Sequence, residues 1–211
     1  MEIRKQSLVV QVIWGVLIVS LITAVVNGRW SMAFVSAGAL AASILPALVA
    51  ERFALRVPVS YVSILVVFTF STLFLGEVLD FYERFWWWDL LMHGGSAVAL
   101  GMIGFLFVFY LFEGDRYAAP PWALSTIAVC FAVTVGVLWE IFEFTMDQTF
   151  GLNMQKSGLM DTMTDLIVNL LGAIAGAATG FVYLKKREPD GRTRMIHEFV
   201  RLNRSLFRKH R

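Results

Sequence analysis

The sequence predicts an all-α polytopic membrane protein: a six-transmembrane-helix bundle followed by a basic amphipathic C-terminal helix. Three observations carry this. Of 211 residues, 58% are hydrophobic and 16% charged, against about 45–50% and about 25% in a soluble domain. The apolar residues are gathered into six runs, each near the roughly 20 residues that a helix needs to cross the hydrocarbon core. The charges are segregated, with ten of the 18 Lys and Arg residues after Leu184.

The runs cover residues 7–26, 30–50, 58–79, 89–112, 122–144 and 162–184. Asn27-Gly28-Arg29 breaks the first from the second, and Arg52 and Arg56 flank the next gap. Pro120-Pro121 opens the fifth helix, where a missing N–H costs no intrahelical bond. Arg4 and Lys5 ahead of the first run suit a signal peptide, but the run exceeds the usual apolar stretch of about 7–15 residues. No small-x-small cleavage site follows, so a retained first helix is expected. The division is residues 1–184 as a six-helix transmembrane domain and residues 185–211 as a cytoplasmic basic tail.

Lys and Arg set the orientation. Arg4, Lys5, Arg52, Arg56, Arg116 and the tail fall on one side of a six-span path, against Arg29, Arg84 and Lys156 on the other. Both termini are therefore expected in the cytoplasm. Nine of the 16 acids fall on the opposite, outer side, giving that face a negative field. A net charge of +2, with the basic excess in the tail, argues against nucleic acid as a partner.

In the tail, Pro189-Asp190-Gly191 reads as a turn. Beyond it Met195, Phe199, Leu202 and Leu206 recur at helical spacing, among Arg192, Arg194, Arg201, Arg204, Arg208, Lys209 and Arg211. This pattern predicts a helix on the anionic lipids of the inner leaflet. Trp86-Trp87-Trp88 with Phe81, Tyr82 and Phe85 reads as an interfacial aromatic belt. Gly172, Gly176 and Gly180, four apart, form a stripe that lets a neighbouring helix pack closely.

Three helices carry polar stripes at the outer depth. Asp89 and His93 are i, i+4; Glu140, Glu143 and Asp147 are i, i+3, i+7; Asp161, Asp165 and Asn169 are i, i+4, i+8. Each set lies on one helix face. Aspartate at the centre of a membrane helix costs about 2.5–3.5 kcal/mol even on the lenient insertion scale. Several carboxylates crowded together repel one another, and a bound divalent cation offsets that repulsion. Carboxylates with an imidazole suit Mn, Fe or Zn, and oxygen-rich sets suit Mg or Mn. Gly94-Gly95-Ser96 leaves room beside His93, and Asp89 is placed either to orient its ring or to ligate directly.

The segments Trp88-Asp89-Leu90-Leu91-Met92-His93-Gly94-Gly95, Trp139-Glu140-Ile141-Phe142-Glu143-Phe144 and Asp161-Thr162-Met163-Thr164-Asp165-Leu166, with Leu171-Gly172-Ala173 beyond, resemble the YjdF-like inner-membrane proteins of bacteria. The resemblance covers the second half of the chain, about residues 80–176, and Phe144 stands where a tryptophan also fits the family pattern. A looser similarity runs to VanZ-like membrane proteins. The resemblance implies a multi-pass bacterial inner-membrane protein of uncharacterised activity, with Asp89, His93, Glu140, Glu143, Asp161 and Asp165 in one site.

Three functions are expected to compete. The first is a divalent-metal-dependent membrane hydrolase acting on a lipid or lipid-linked envelope substrate. His93, Glu140, Glu143 and Asp165 would hold the metal, Asp89 would orient His93, and Asp161 would act as general base at the mouth. Arg84 and Lys156 are candidate contacts for an anionic headgroup. The second is a cation- or proton-coupled transporter, which needs a polar route through the whole bilayer. The inner halves of the last three helices offer Ser125, Thr126, Cys130 and Thr179 but no carboxylate, while helices one to three, with Gln11 and several hydroxyls, leave a second path for such a route. The third is a non-catalytic metal or stress sensor whose basic tail engages a cytoplasmic partner.

Overall fold

Each apolar run becomes a helix in the computed structural model of the chain, which describes residues 7–115, 118–186, 191 and 193–207, the side chain of Ala47 apart. The helices are α1 (Leu8–Val26), α2 (Trp30–Arg52), α3 (Val59–Thr69) continuing as a π-helix over Phe70–Val78, a short α4 (Phe81–Arg84), α5 (Trp88–Leu111), α6 (Pro121–Phe150), α7 (Leu159–Lys185) and α8 (Arg194–Leu202), with a 3₁₀ turn at Arg204–Phe207. No strand occurs among the described residues, and six helices are long and apolar enough to cross a membrane. Arg4, Lys5, Arg116, Pro189, Asp190, Arg192, Arg208, Lys209 and Arg211, used above for orientation and for the tail, lie outside the described residues.

The surface is inverted relative to a soluble protein. Leu8, Val19, Val26, Phe34, Leu138 and Leu171 are exposed, whereas His93, Glu140, Glu143, Asp165 and Asn169 are buried. Large apolar side chains facing out along every span require an apolar solvent, and ionisable groups in membrane helices face the protein interior.

The chain falls into two compact units, Met1–Trp88 and Asp89–Arg211. In the first, Val10, Ile13, Trp14, Leu17, Ala39, Val66 and Phe74 form the core. The Trp14 indole donates to Ser43 Oγ at 2.9 Å, so its buried N–H is satisfied. Thr72 Oγ1 donates back to the carbonyls of Phe68 (3.0 Å) and Thr69 (3.3 Å), drawing them from the α-helical ladder where the π-helix begins. Gly76 is needed there: a Cβ would run into the Tyr82 ring. Trp86 is exposed, while Trp88 is buried with Phe81 edge-on to it at 4.9 Å.

In the second unit, glycines set how closely α7 approaches its neighbours. A Cβ on Gly172 would lie 2.7 Å from Gly94 O and 2.7 Å from Ala97 Cβ, and one on Gly101 would lie 2.6 Å from Ala173 O. Gly176 faces Val98 and Gly101, and Gly180 seats the Phe105 ring. The stripe on α7 thus brings α5 against it. Gly94 also differs from its expected use: a Cβ there would lie 3.0 Å from Val168 Cγ1, so its smallness serves helix contact, while Gly95 faces open space.

Two elements depart from expectation. α6 runs six residues past its expected end, to Phe150. At 1.5 Å per residue its 30 residues span about 45 Å, well beyond a hydrocarbon core of about 30 Å. On α8 the buried stripe is displaced. Ile196 is fully buried, Phe199, Val200 and Phe207 pack beside it against Phe105, Phe109, Leu124 and Tyr183, and Met195, Leu202 and Leu206 are only partly covered. The apolar side of the tail is therefore spent largely on the chain's own bundle.

Candidate metal centre

The three polar stripes converge at one end of the second unit. His93 comes from the second turn of α5, Glu140 and Glu143 from α6, and Asp165 from α7, and all four are buried. His93 Nε2 lies 3.6 Å from Asp89 Oδ1, and its Nδ1 lies 3.7 Å from Glu140 Oε1. Both separations exceed hydrogen-bond length. The ring stands between two carboxylates, bonded to neither.

Two sets of potential ligand atoms lie within 4.8 Å of one another: Asp89, His93 and Asp165, and His93, Glu140 and Glu143. His93 belongs to both. Glu140 is 4% exposed, and neither of its carboxylate oxygens accepts a well-formed hydrogen bond; the Thr162 hydroxyl is near enough to act on it. An unsatisfied buried carboxylate costs at least the 1–3 kcal/mol of a lost buried hydrogen bond, and more when ionised. The donor set of one imidazole and several carboxylates is one that could hold a divalent cation such as Mn, Fe or Zn.

Residues that the sequence reading passed over hold this arrangement. The Trp139 indole donates to Glu143 Oε1 at 2.9 Å, an i, i+4 bond that fixes the carboxylate. That spacing is visible in the sequence, but spacing alone assigns the indole no partner. Asp147 does not join the cluster. Its carboxylate accepts the backbone N–H groups of Met154 (2.7 Å) and Gln155 (2.9 Å), and its carbonyl accepts that of Gly151 at 3.0 Å. Gln155 Nε2 then donates to Thr162 Oγ1 at 2.7 Å. The α6–α7 connection is thereby tied at both ends, which sets the register of Glu140 and Glu143 against Asp165. Gly136 packs on Asn169, with 2.8 Å left for a Cβ, and closes α6 onto α7 one turn below Glu140.

Asp161 lies nearer the surface than Asp165, half-buried, and belongs to neither set. The Lys156 backbone N–H donates to its carboxylate, and the Lys156 charge acts on both Asp161 and Asp165. Lys156 is thus engaged with the acids of the site. Arg84, in the first unit, is exposed and 3.9 Å from Asp80.

The fold and site define a helical membrane protein with a buried carboxylate–imidazole cluster. The chain belongs to a family described as predicted membrane protein (DUF2238), whose model matches residues 6–186. It is similar to an uncharacterized protein of Thermotoga maritima, 38% identical over 113 residues, which is 53% of this chain and 56% of that protein. The match therefore spans little more than half of the relative's length. No solved structure matches.

Proposed function

We propose that this protein binds a divalent cation between α5, α6 and α7 and acts as a metal-dependent membrane enzyme on a lipid or lipid-linked substrate. The observation that carries the reading is His93 placed between the carboxylates of Asp89 and Glu140, with the buried Glu140 oxygens unsatisfied. His93, Glu140 and Glu143, whose donor atoms lie within 4.8 Å of one another, would hold the cation, with Asp165 drawn in from the set it shares with His93 and Asp89; when bound, the cation supplies an acidified water and a Lewis acid for a phosphoryl or acyl oxygen. Asp89, 3.6 Å from His93 Nε2, would orient the ring or share in the ligation. Trp139 holds Glu143 in place. Asp161, less buried and beside Lys156, stands where a substrate would enter, placed to take a proton from an incoming nucleophile.

A transporter would need a polar route past this cluster. Below it, α5 and α7 meet through Gly101, Ala173, Gly176 and Ala177 at backbone contact distance, which leaves no width for a hydrated ion. That packing supports a site open on one side. The Lys and Arg distribution supports a bacterial plasma-membrane protein with both termini in the cytoplasm and the site on the outer side. It also supports residues 185–211 as a cytoplasmic basic tail on a six-helix domain of residues 1–184.

The test is turnover. Purified protein is incubated with Mn²⁺ or Zn²⁺ and bacterial phospholipid and lipid-linked precursor extracts, and products are read by mass spectrometry. Metal-dependent loss of one lipid class, abolished in Asp161→Asn with metal binding retained, supports the enzyme. Metal binding with no turnover of any class contradicts it and favours a sensor.

A further inference from the structure

The end of the second unit opposite the carboxylates carries a different polar site. Asp165 and Tyr183 are 18 residues apart on α7, roughly 27 Å along the axis. At the far end, α8 is pinned by Ile196, Phe199 and Val200 against Phe105, Phe109, Leu124 and Tyr183. The helix is therefore held by packing at a fixed rotation, and its polar side faces outward in a defined direction.

On that side Arg194, His197 and Arg201 follow i, i+3, i+7 and share a face. Arg204, from the following 3₁₀ turn, joins them. With Tyr183, Glu198 and Val200 they line a groove of about 510 Å³, open to the surface. The His197 ring is set edge-on against Tyr183 with centroids 4.6 Å apart. Three guanidinium groups against the one carboxylate of Glu198 leave two net positive charges before His197 is counted. Among the described residues, none of these arginines forms a salt bridge. A guanidinium presents a planar fork of donors that matches phosphate oxygens two at a time. The groove also lies beside the last turn of α7, where the apolar span gives way to Lys185 and Lys186, the depth at which headgroup phosphates sit.

We propose that this groove is a phosphate-group site, with Arg194, Arg201 and Arg204 as its ligands and His197 as a further donor. It is independent of the metal centre and of any reaction there.

The experiment uses the full chain in detergent micelles with three probes: dioleoyl phosphatidylglycerol, dioleoylglycerol and inorganic phosphate. Lipid binding is read by native mass spectrometry and phosphate binding by the shift in thermal midpoint. The variants are the triple Arg194→Gln/Arg201→Gln/Arg204→Gln, the charge-conserving Arg201→Lys, and Lys185→Gln/Lys186→Gln as a nearby charge control. Each is first checked for an unchanged midpoint without ligand. The expected result is phosphatidylglycerol binding at least tenfold weaker in the triple variant, several-fold weaker in Arg201→Lys, near wild type in the lysine control, and none to dioleoylglycerol. A headgroup source gives this result with no response to inorganic phosphate. A soluble source gives a midpoint shift with inorganic phosphate, lost in the triple variant, and no selectivity for the phospholipid. The proposal is overturned if the wild type binds neither probe, if the triple variant binds as the wild type does, or if the lysine control loses as much as the triple variant.

Discussion

His93 Nδ1 stands 3.7 Å from Glu140 Oε1, and that approach joins the polar stripe of α5 to that of α6. Neither Glu140 oxygen has a satisfying hydrogen bond, so the pair is held by the packing around it. The glycine contacts of α7 with α5 and α6 supply that packing. Consequences for stability and for binding can then be separated.

Glu140→Gln replaces an unsatisfied buried carboxylate with a neutral isostere. In chelator, the variant should be more stable than wild type by about 1–3 kcal/mol, the scale of one unsatisfied buried polar group. With Mn²⁺ or Zn²⁺ added, wild type should gain stability and the variant should gain little. Thermal unfolding in detergent with and without metal reads both effects.

Gly172→Ala should destabilise the second unit by about 1–3 kcal/mol, because its Cβ would meet Gly94 O and Ala97 Cβ, both at 2.7 Å. Spreading α5 from α7 there also moves His93 from Asp165, so metal affinity should fall with stability. Gly15→Ala on α1 is the contrast, since nothing lies within 4 Å of its added Cβ. It should be neutral or stabilising by up to about 1 kcal/mol through helix propensity. Denaturation midpoints of the two variants make the comparison.

Trp139→Phe keeps the ring at the lipid face and removes the 2.9 Å bond to Glu143. Metal affinity should drop about 10-fold or more, the usual effect of deleting a group that orients a metal ligand. Stability in chelator should change by less than about 1.5 kcal/mol. Calorimetric metal titration beside thermal unfolding distinguishes this from general loss of fold.

Asp147→Ala removes both acceptors of the Met154 and Gln155 N–H groups. Hydrogen exchange at those two amides should accelerate by at least 10-fold, as the α6–α7 connection loses its tether. A cluster that included Asp147 as a ligand would instead lose metal with no local change in exchange.

Much of this fold was legible in the sequence because run length answers directly to membrane thickness, and all six spans appear. The end of α6 was not legible. Residues 145–150 leave the apolar pattern, yet the helix continues because Gly151 caps it in a left-handed conformation and Asp147 binds the loop beyond. Asp147 has the right spacing for the stripe of Glu140 and Glu143, so pattern alone joined it to them. The phase of α8 was missed for a different reason. Asn203 interrupts the helix and a 3₁₀ turn follows, so no single period connects Met195 to Leu206. The convergence of Asp89, His93, Glu140, Glu143 and Asp165 was legible as three stripes at one depth. Their division into two sets sharing His93 depends on ring placement, which spacing does not encode. The support from Trp139 and Gln155 was hidden because a tryptophan near a membrane boundary and a glutamine in a loop have ordinary readings.

The most direct measurement of the central claim is metal content by inductively coupled plasma mass spectrometry, on protein purified without chelator. Wild type, His93→Ala and Glu143→Ala are compared, with Asp147→Ala as a neighbouring acid outside the cluster. Near-stoichiometric Mn, Zn or Fe in wild type and in Asp147→Ala, lost in the other two, is the predicted result. No metal in wild type, together with no thermal shift on adding any of these divalent ions, would contradict the account and leave the cluster without a cation.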